Sequence, residues 1–220
     1  MIQLTRTGVV FSGSESDLNQ LRSEFDRDHY VTLPKLFESE LLQMVLKRIE
    51  SSSFAPFEHT GIGLEFCMED QPTISLLNFV ANVPDFHRLI ERITGCGRIG
   101  EYSGRVYRMT SCDGHYDHWH DDSNDGRMLT MSVNLTPELF QGGALQMRRC
   151  GTEEILHEIR NTGLGDALLF RISPEFEHRV QGVIGEVPKT ALAGWFISGK
   201  TFHQAAREHV NHSSTRGIAV

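Results

Sequence analysis

From residue 100 onward the chain is a succession of short β-forming runs separated by turns, and this pattern constrains its fold more than any other feature. The runs cover residues 105–110, 127–135, 144–148, 167–172, 179–184 and 190–197. Turns such as Asn124-Asp125-Gly126 and Gly142-Gly143 separate them. Many short strands at this spacing are typical of a β sandwich or barrel. The second half of the chain is therefore predicted to be mainly β.

The first hundred residues predict mainly helix, because their apolar residues recur at helical spacing. The expected elements are helices over about 16–29, 39–50 and 84–94, with a short strand at 30–33. Ser16 or Asp17 is the expected N-cap of the first helix, and Ser39 that of the second. Residues 54–72 show no periodicity and are expected to be irregular, with a possible strand near 64–68 and a possible role as a lid.

Length and charge limit the domain count and the class of partner. With 220 residues, the chain suits one domain that buries a single core. We expect a helical part over about 1–97, a β core over about 98–200 and a polar C-terminal tail. The net charge is −8, and no basic cluster is longer than Arg148-Arg149. This argues against a nucleic-acid partner and favours a small molecule or a peptide.

Cysteine usage and the N-terminus bear on the compartment. The 4 cysteines form no C-x-x-C pair, which is typical of reduced thiols in a cytoplasm. The N-terminal residues lack a basic stretch followed by an apolar segment, and no apolar window has the length of a membrane span. The sequence therefore predicts a cytoplasmic protein without a membrane partner.

Residues 113–122 are the densest run of metal-binding side chains in the chain, with three histidines and four aspartates in ten residues. Two His-x-Asp pairs overlap there: His115 with Asp117, and His120 with Asp122. Far downstream, His178 is the only histidine between residues 157 and 203. Two imidazoles and one carboxylate on one side of an ion are the ligand set of mononuclear non-heme Fe(II) oxygenases. Spacing alone does not decide between the two pairs.

The order of residues after the histidine cluster resembles a known family. Asp122 is followed in turn by Arg127, Thr130, Asn134, Gly142-Gly143, His178, Lys189 and Trp195. This order resembles the prolyl-4-hydroxylase-like branch of the Fe(II)/2-oxoglutarate-dependent dioxygenases over about 107–196. The resemblance implies a double-stranded β-helix, a cupin-like jelly roll that is mainly β, with N-terminal helices packed on one sheet. It also implies Fe(II), 2-oxoglutarate as cosubstrate, and O2.

The resemblance assigns roles to particular residues. His120, Asp122 and His178 are the expected metal ligands, because Trp119-His120-x-Asp122 matches the family pattern; His115 and Asp117 remain the alternative pair. Lys189 stands where the family places the cation that binds the far carboxylate of 2-oxoglutarate. Strand alternation places Ala191, Ala193 and Trp195 on its face, and Thr130, Ser132 and Asn134 together on another strand. Further expected cosubstrate contacts are Tyr107, Thr130, Asn134 and Trp195.

The activity that the resemblance implies is hydroxylation of an unactivated C–H bond, with release of succinate and CO2. An amino acid, a peptide or a small biosynthetic intermediate is the expected substrate. Candidate substrate contacts are Arg127, Gln146, Arg148 and His118. Two alternatives stay open: desaturation, epimerisation or ring closure at the same iron centre, and a non-catalytic metal-binding jelly roll that acts as a sensor or binding protein. The sequence makes no prediction of the oligomeric state.

Overall fold

The structure, a computed structural model, describes residues 1–111, 115–160 and 162–199, apart from the side chain of Tyr116. The predicted polar tail and Cys112 lie outside the described residues; the cysteines at 67, 96 and 150 are free thiols. In chain order the elements are β1 (Ile2–Thr5), β2 (Gly8–Phe11), α1 (Glu15–Asp28), β3 (Tyr30–Leu33), α2 (Ser39–Ser51), β4 (Phe54–His59), β5 (Gly63–Met68), α3 (Gln71–Ala81), α4 (Pro84–Thr94), β6 (Ile99–Met109), β7 (Tyr116–Asp117), β8 (Arg127–Asn134), β9 (Gln141–Gly142), β10 (Leu145–Arg149), β11 (Ile155–Ile159), β12 (Ala167–Arg171), β13 (Phe176–Val180), β14 (Val183–Ile184) and β15 (Lys189–Ser198).

Two antiparallel sheets carry the fold. The larger runs in the order β3-β12-β8-β15-β6-β5-β4, with β7 paired to β5, and the smaller in the order β11-β10-β13. From β8 onward the chain passes back and forth between the sheets, with β8, β12 and β15 in the larger and β10 and β13 in the smaller, as in a jelly roll. The predicted fold class, mainly β with flanking helices, is confirmed.

The helices cover the outer face of the larger sheet. Alternate residues of the central strands point outward and are fully buried, among them Val106 on β6 and Leu192 on β15. Helix residues such as Phe25, Leu77 and Ile90 belong to the same buried cluster. Each helix buries one apolar stripe against this face, and so the prediction of N-terminal helices on one sheet is also confirmed. No helix within the described ranges is long and apolar enough to cross a membrane.

The three predicted helices are present, but their caps differ from the expected ones. Helix α1 is capped by Ser14, whose hydroxyl accepts from the Asp17 amide while the Asp17 carboxylate accepts from the Ser14 amide. This reciprocal capping box places the helix start before Ser16. Helix α2 begins at Ser39 itself, and its N-cap Glu38 makes no side-chain capping bond. The predicted caps of both helices were therefore wrong by one or more residues.

The prediction that the first hundred residues are mainly helical was incomplete. Residues 54–72 are not irregular: the possible strand near 64–68 is β5, and β4 and the start of α3 were not predicted. Pro56 hides β4 in the sequence, yet it is tolerated because β4 is the last strand of its sheet and needs no bond on its outer edge. Helix α3 is capped by the Asp70 side chain, with Pro72 in its first turn. These two signals could have identified it.

Candidate metal centre

A cavity of about 620 Å³ lies between the two sheets. Its floor is the inner face of the larger sheet, where strand alternation points Thr130, Ser132 and Asn134 of β8 toward the same space as Lys189 and Trp195 of β15. This confirms the predicted faces of both strands. The β4–β5 hairpin forms one wall, and the loop that precedes β8 contributes His120 and Asp122.

His120, Asp122 and His178 meet at this cavity. The backbones of His120 and His178 pair across the gap between sheets, with N···O distances of 3.1 and 2.8 Å. One potential ligand atom from each of the three side chains lies within 4.8 Å of the others. The Nε2 atoms of His178 and His120 are 3.5 and 3.8 Å from Asp122 Oδ2. In the part of the chain that the structure describes, no other group of three His, Cys, Asp or Glu side chains could hold a metal ion.

Hydrogen bonds orient the side chains of this cluster. His120 Nδ1 donates to the His118 carbonyl at 2.7 Å, which leaves the Nε2 lone pair directed toward the cluster. Trp195 Nε1 donates to Asp122 Oδ2 at 2.7 Å, and Arg127 donates to Oδ1 at 3.1 Å. Burial raises the pKa of Asp122, but its bonds to His178 and Trp195 and the nearby histidine charges outweigh that and hold the pKa well below its usual range. The carboxylate is therefore an anion, and each of its two oxygens accepts a hydrogen bond.

This donor set fits Fe(II). Two imidazole nitrogens and one carboxylate oxygen on the same side of a small space are the donors that non-heme iron oxygenases use, with the other side left for ligands. The set also matches the general arrangement in which a ligating histidine donates its second ring N–H to a backbone carbonyl.

The alternative pair is engaged elsewhere. His115 Nδ1 accepts from the Thr110 amide at 2.8 Å, and its ring packs on Phe66 at 4.6 Å between centroids. Asp117 Oδ2 accepts from the Val180 amide at 2.6 Å. Asp117 remains close to the cluster, 3.5 Å from His120 Nδ1. The geometry thus favours His120 and Asp122 as the ligand pair over His115 and Asp117.

Lys189 lies at another part of the same cavity, where its ammonium group donates to the Gly143 carbonyl at 2.8 Å. Burial lowers the pKa of Lys189 to about 8, although the negative charges of Asp117 and Glu65 oppose the shift. Gly143 has φ +63°, and a Cβ there would lie 3.0 Å from Lys189 Cδ and 2.9 Å from the Phe140 ring. The glycine therefore leaves the space that the lysine needs, and a partly desolvated ammonium at this position fits a carboxylate ligand.

The other predicted cosubstrate residues differ in what they offer. Thr130 Oγ1 is buried and has no hydrogen-bond partner in the described part of the chain, so it is available to a ligand. The side-chain amide of Asn134 already has partners within the protein. Its Nδ2 donates to the Thr162 carbonyl at 2.7 Å, and its Oδ1 accepts from the Thr136 backbone amide at 3.0 Å. Tyr107 is buried beside the cavity, and burial raises its pKa well above the usual range. Trp195 contacts Asp122 instead.

Of the four predicted substrate contacts, only Arg127 lines the cavity. Gln146 and Arg148 project from the opposite face of β10: Gln146 bonds Glu158 and Arg179, and Arg148 bonds Glu177. The sequence shows that residues 145 and 146 face opposite ways, but not which of them faces inward. These two assignments are therefore corrected.

His118 also lies outside the cavity lining and is exposed. Sequence reasoning missed three lining residues of the β4–β5 hairpin and its neighbour β6, namely His59, Glu65 and Arg105. The hairpin strands show no apolar alternation, and Pro56 lies within β4, so no sequence signal identified these residues.

Comparison with known proteins agrees with this geometry. Residues 104–197 match the family model described as the 2OG-Fe(II) oxygenase superfamily. The matched part is less than half of the 220 residues, but it includes all three clustered side chains and Lys189. The superfamily that the model describes uses Fe(II), 2-oxoglutarate and O2. No curated protein sequence matches the chain.

Solved structures with this fold include a 2OG-Fe(II) oxygenase family oxidoreductase from Burkholderia pseudomallei, at 16% identity and a TM-score of 0.63, covering 87% of this chain and 97% of that one. A Pseudomonas putida prolyl-4-hydroxylase is 15% identical with a TM-score of 0.59, covering 83% and 99%. The epimerase SnoN from nogalamycin biosynthesis is 14% identical with a TM-score of 0.61, covering 84% of each chain. At such identities the likeness shows the fold alone.

Proposed function

We propose that this protein is an Fe(II)- and 2-oxoglutarate-dependent dioxygenase that hydroxylates an unactivated C–H bond of an amino acid, peptide or small biosynthetic intermediate. The main support for this proposal is that His120, Asp122 and His178 line the same cavity as the desolvated ammonium group of Lys189. In this proposal the whole chain acts as a single catalytic domain.

Each residue has a defined part in this proposal. His120, Asp122 and His178 hold the metal, and Lys189 binds the carboxylate of 2-oxoglutarate farthest from it. When bound, Fe(II) with 2-oxoglutarate and O2 supplies the oxidising power that breaks the substrate C–H bond, with release of succinate and CO2. Arg127 and Trp195 keep the Asp122 carboxylate in place, and Thr130 is a free hydroxyl for a bound ligand. The apolar residues around the cavity limit the access of water.

The position of Lys189 supports an enzyme over a silent metal-binding protein. A protein that only held a metal would gain nothing from an ammonium group whose burial lowers its pKa to about 8. Such a group costs stability unless an anion neutralises it. A dicarboxylate cosubstrate is an anion that a metal and this lysine could hold together.

The experiment is anaerobic reconstitution with Fe(II), followed by addition of 2-oxoglutarate. We expect a visible charge-transfer band from the chelated metal and slow release of succinate once air is admitted. His120→Ala and Lys189→Met should lose both signals, whereas His115→Ala should keep the band. Absence of the band in the wild type, or its survival in His120→Ala, contradicts the proposal. Mass analysis of the product then separates added oxygen from desaturation or epimerisation.

A further inference from the structure

A pair of opposite charges lies on the cavity wall apart from the candidate metal ligands. Glu65 projects from β5 and Arg105 from β6, and Arg105 Nε donates to Glu65 Oε1 at 2.6 Å. Their side chains are only 16% and 29% exposed, and both line the cavity. Nothing in the proposed binding of metal or 2-oxoglutarate uses this pair.

Each member of the pair retains a polar atom for a ligand. A second Arg105 nitrogen, Nη2, lies 2.6 Å from Glu65 Oε1 and 2.5 Å from His59 Nε2. Because a guanidinium only donates, His59 Nε2 is the acceptor in that contact and carries no proton. The 3.2 Å approach of His59 Nε2 to Glu65 is then not a hydrogen bond. Among the described residues, the remaining contacts of Glu65 are with Arg105 and Cys67, and both fall on Oε1. Oε2 of Glu65 and the third guanidinium nitrogen of Arg105 therefore have no partner there.

The pair is poorly explained as a stabilising element. Desolvation of two charges offsets much of their attraction, and so a partly buried ion pair is weak evidence for stability. The guanidinium of Arg105 lies 5.2 Å from the Phe57 ring centroid and 5.6 Å from that of Trp195, which holds it between two aromatic side chains. On the neighbouring strand β15, the small residues Ala193 and Gly194 pair with Arg105 and Gly104 and line the cavity. Small residues at this position leave room for a bound molecule.

Trp195 connects the pair to the candidate metal centre. One side of its indole faces Arg105, while its Nε1 donates to Asp122 at 2.7 Å. A molecule anchored at Glu65 and Arg105 is therefore about one indole ring from the proposed metal ligand. The pair and the candidate metal centre are therefore close enough for one small molecule to reach both.

We infer that Glu65 and Arg105 bind the α-ammonium and α-carboxylate groups of a free amino acid, the substrate class of the hydroxylation proposed above. Glu65 Oε2 accepts from the ammonium, and Arg105 donates to the carboxylate. A zwitterion offers a positive group to Glu65 and a negative group to Arg105 at once. A ligand with a single charge pairs with only one of these two residues and must weaken the ion pair between them. Charge-assisted hydrogen bonds of this kind are about twice as strong as neutral ones. The inference rests on the proposed function and narrows its substrate.

The experiment measures succinate release by the Fe(II)-loaded protein with a panel of free L-amino acids, their N-acetyl derivatives and their methyl esters. At least one free amino acid should stimulate release, and both of its blocked forms should need at least about tenfold higher concentration, which corresponds to about 1.4 kcal/mol. Glu65→Gln should lose the preference for the free amine, and Arg105→Gln the preference for the free carboxylate. Glu58→Gln is the matched control on the same hairpin, because its side chain is exposed and outside the cavity lining.

The outcomes separate this inference from the proposed function. If the wild type forms the 2-oxoglutarate charge-transfer band but blocked amino acids or peptides stimulate as well as free ones, the inference is wrong and the proposed function stands. If the band itself is missing, the proposed function fails first. If Glu65→Gln or Arg105→Gln alone loses both the preference for the free amine and that for the free carboxylate, the substitution has disrupted the cavity wall as a whole. That result would also contradict the assignment of the ammonium to Glu65 and the carboxylate to Arg105. Should a variant not fold, the comparison of free and blocked amino acids in the wild type decides.

Discussion

At the scale of single residues, Asp122 is held from two sides. Trp195 donates to Oδ2, the oxygen nearest both histidines, while Arg127 donates to Oδ1 and stacks on Trp195 at 3.8 Å from the ring centroid. The motif that identifies Asp122 in the sequence says nothing of these partners, and Arg127 was predicted to contact substrate instead. The structure assigns both side chains to the orientation of the carboxylate.

We therefore expect Arg127→Gln to weaken metal binding. Partners of a ligating carboxylate typically contribute about 10–100-fold to metal affinity. Calorimetric titration with Fe(II) under anaerobic conditions measures the change. Arg160→Gln is the control, because that arginine also lines the cavity but its side chain is 84% exposed and pairs with Glu158. An unchanged affinity in Arg127→Gln contradicts the role assigned to it.

A second expectation at this scale concerns Lys189 and pH. Burial lowers its pKa to about 8, so the ammonium is charged below that pH and loses its proton above it. The affinity for 2-oxoglutarate should then fall between about pH 7 and about pH 9, approaching tenfold per unit above the pKa. Bound dicarboxylate should in turn raise the pKa. Dissociation constants measured across this range with Zn(II)-loaded protein test the trend.

The control for that measurement is Lys189→Met. It should bind 2-oxoglutarate weakly at every pH and show no slope over the same range. A flat profile in the wild type, or an equal slope in the variant, assigns the pH dependence to another group.

At the scale of elements, the close approach of β15 and β6 depends on glycine. Gly194 pairs with Gly104, and a Cβ at Gly194 would lie 2.2 Å from the Ser103 carbonyl oxygen. Backbone cannot move aside as a flexible side chain can, and so the two strands would have to separate. This contact lies beneath Arg105 and Trp195, the residues that line the cavity at this point.

Gly194→Ala should lower the free energy of unfolding by about 3 kcal/mol, the upper end of the range for overpacking. Urea unfolding followed by circular dichroism measures it. Gly182→Ala is the matched control, since a Cβ there meets no atom within 4 Å, and it should change stability by less than about 0.5 kcal/mol. Equal stability of the two variants would show that the strands tolerate separation.

The elements also show where sequence patterns sufficed. Strands β8, β12 and β15 are strongly β-forming runs bounded by turn residues, and each was predicted to within a few positions. Of the β4–β5 hairpin only β5 was predicted, as a possible strand near 64–68, because β4 is largely exposed and follows no apolar alternation. Residues of an edge hairpin that line a cavity need not be apolar, so the hairpin lacks the alternation that identifies a core strand.

At the scale of the whole molecule, the candidate metal site joins the two sheets. His178 lies on β13 of the smaller sheet, whereas His120 and Asp122 lie on the segment that leads into β8 of the larger. An ion held by all three binds the folded state and has no such site in the unfolded chain. Metal binding should therefore stabilise the fold by mass action.

Metal at about one hundred times its dissociation constant should raise the free energy of unfolding by about 2.7 kcal/mol. Thermal unfolding with and without a chelator measures the shift. Asp122→Ala should abolish it, and His115→Ala should retain it. If His115→Ala removes the shift while Asp122→Ala does not, the other His-x-Asp pair is the ligand pair.

By itself the sequence indicated the main strands of the β core and the residue types that could bind a metal, and its resemblance to a known family placed Lys189. The strands follow from local rules, because propensity, alternation and turn chemistry act over a few residues. Tertiary structure alone decided which His-x-Asp pair faces His178 and which face of β10 is inward. It also brought Glu65 beside Arg105, 40 residues away, and Trp195 beside Asp122, 73 residues away. Contacts at such separations depend on how the sheets pair, which no local pattern records.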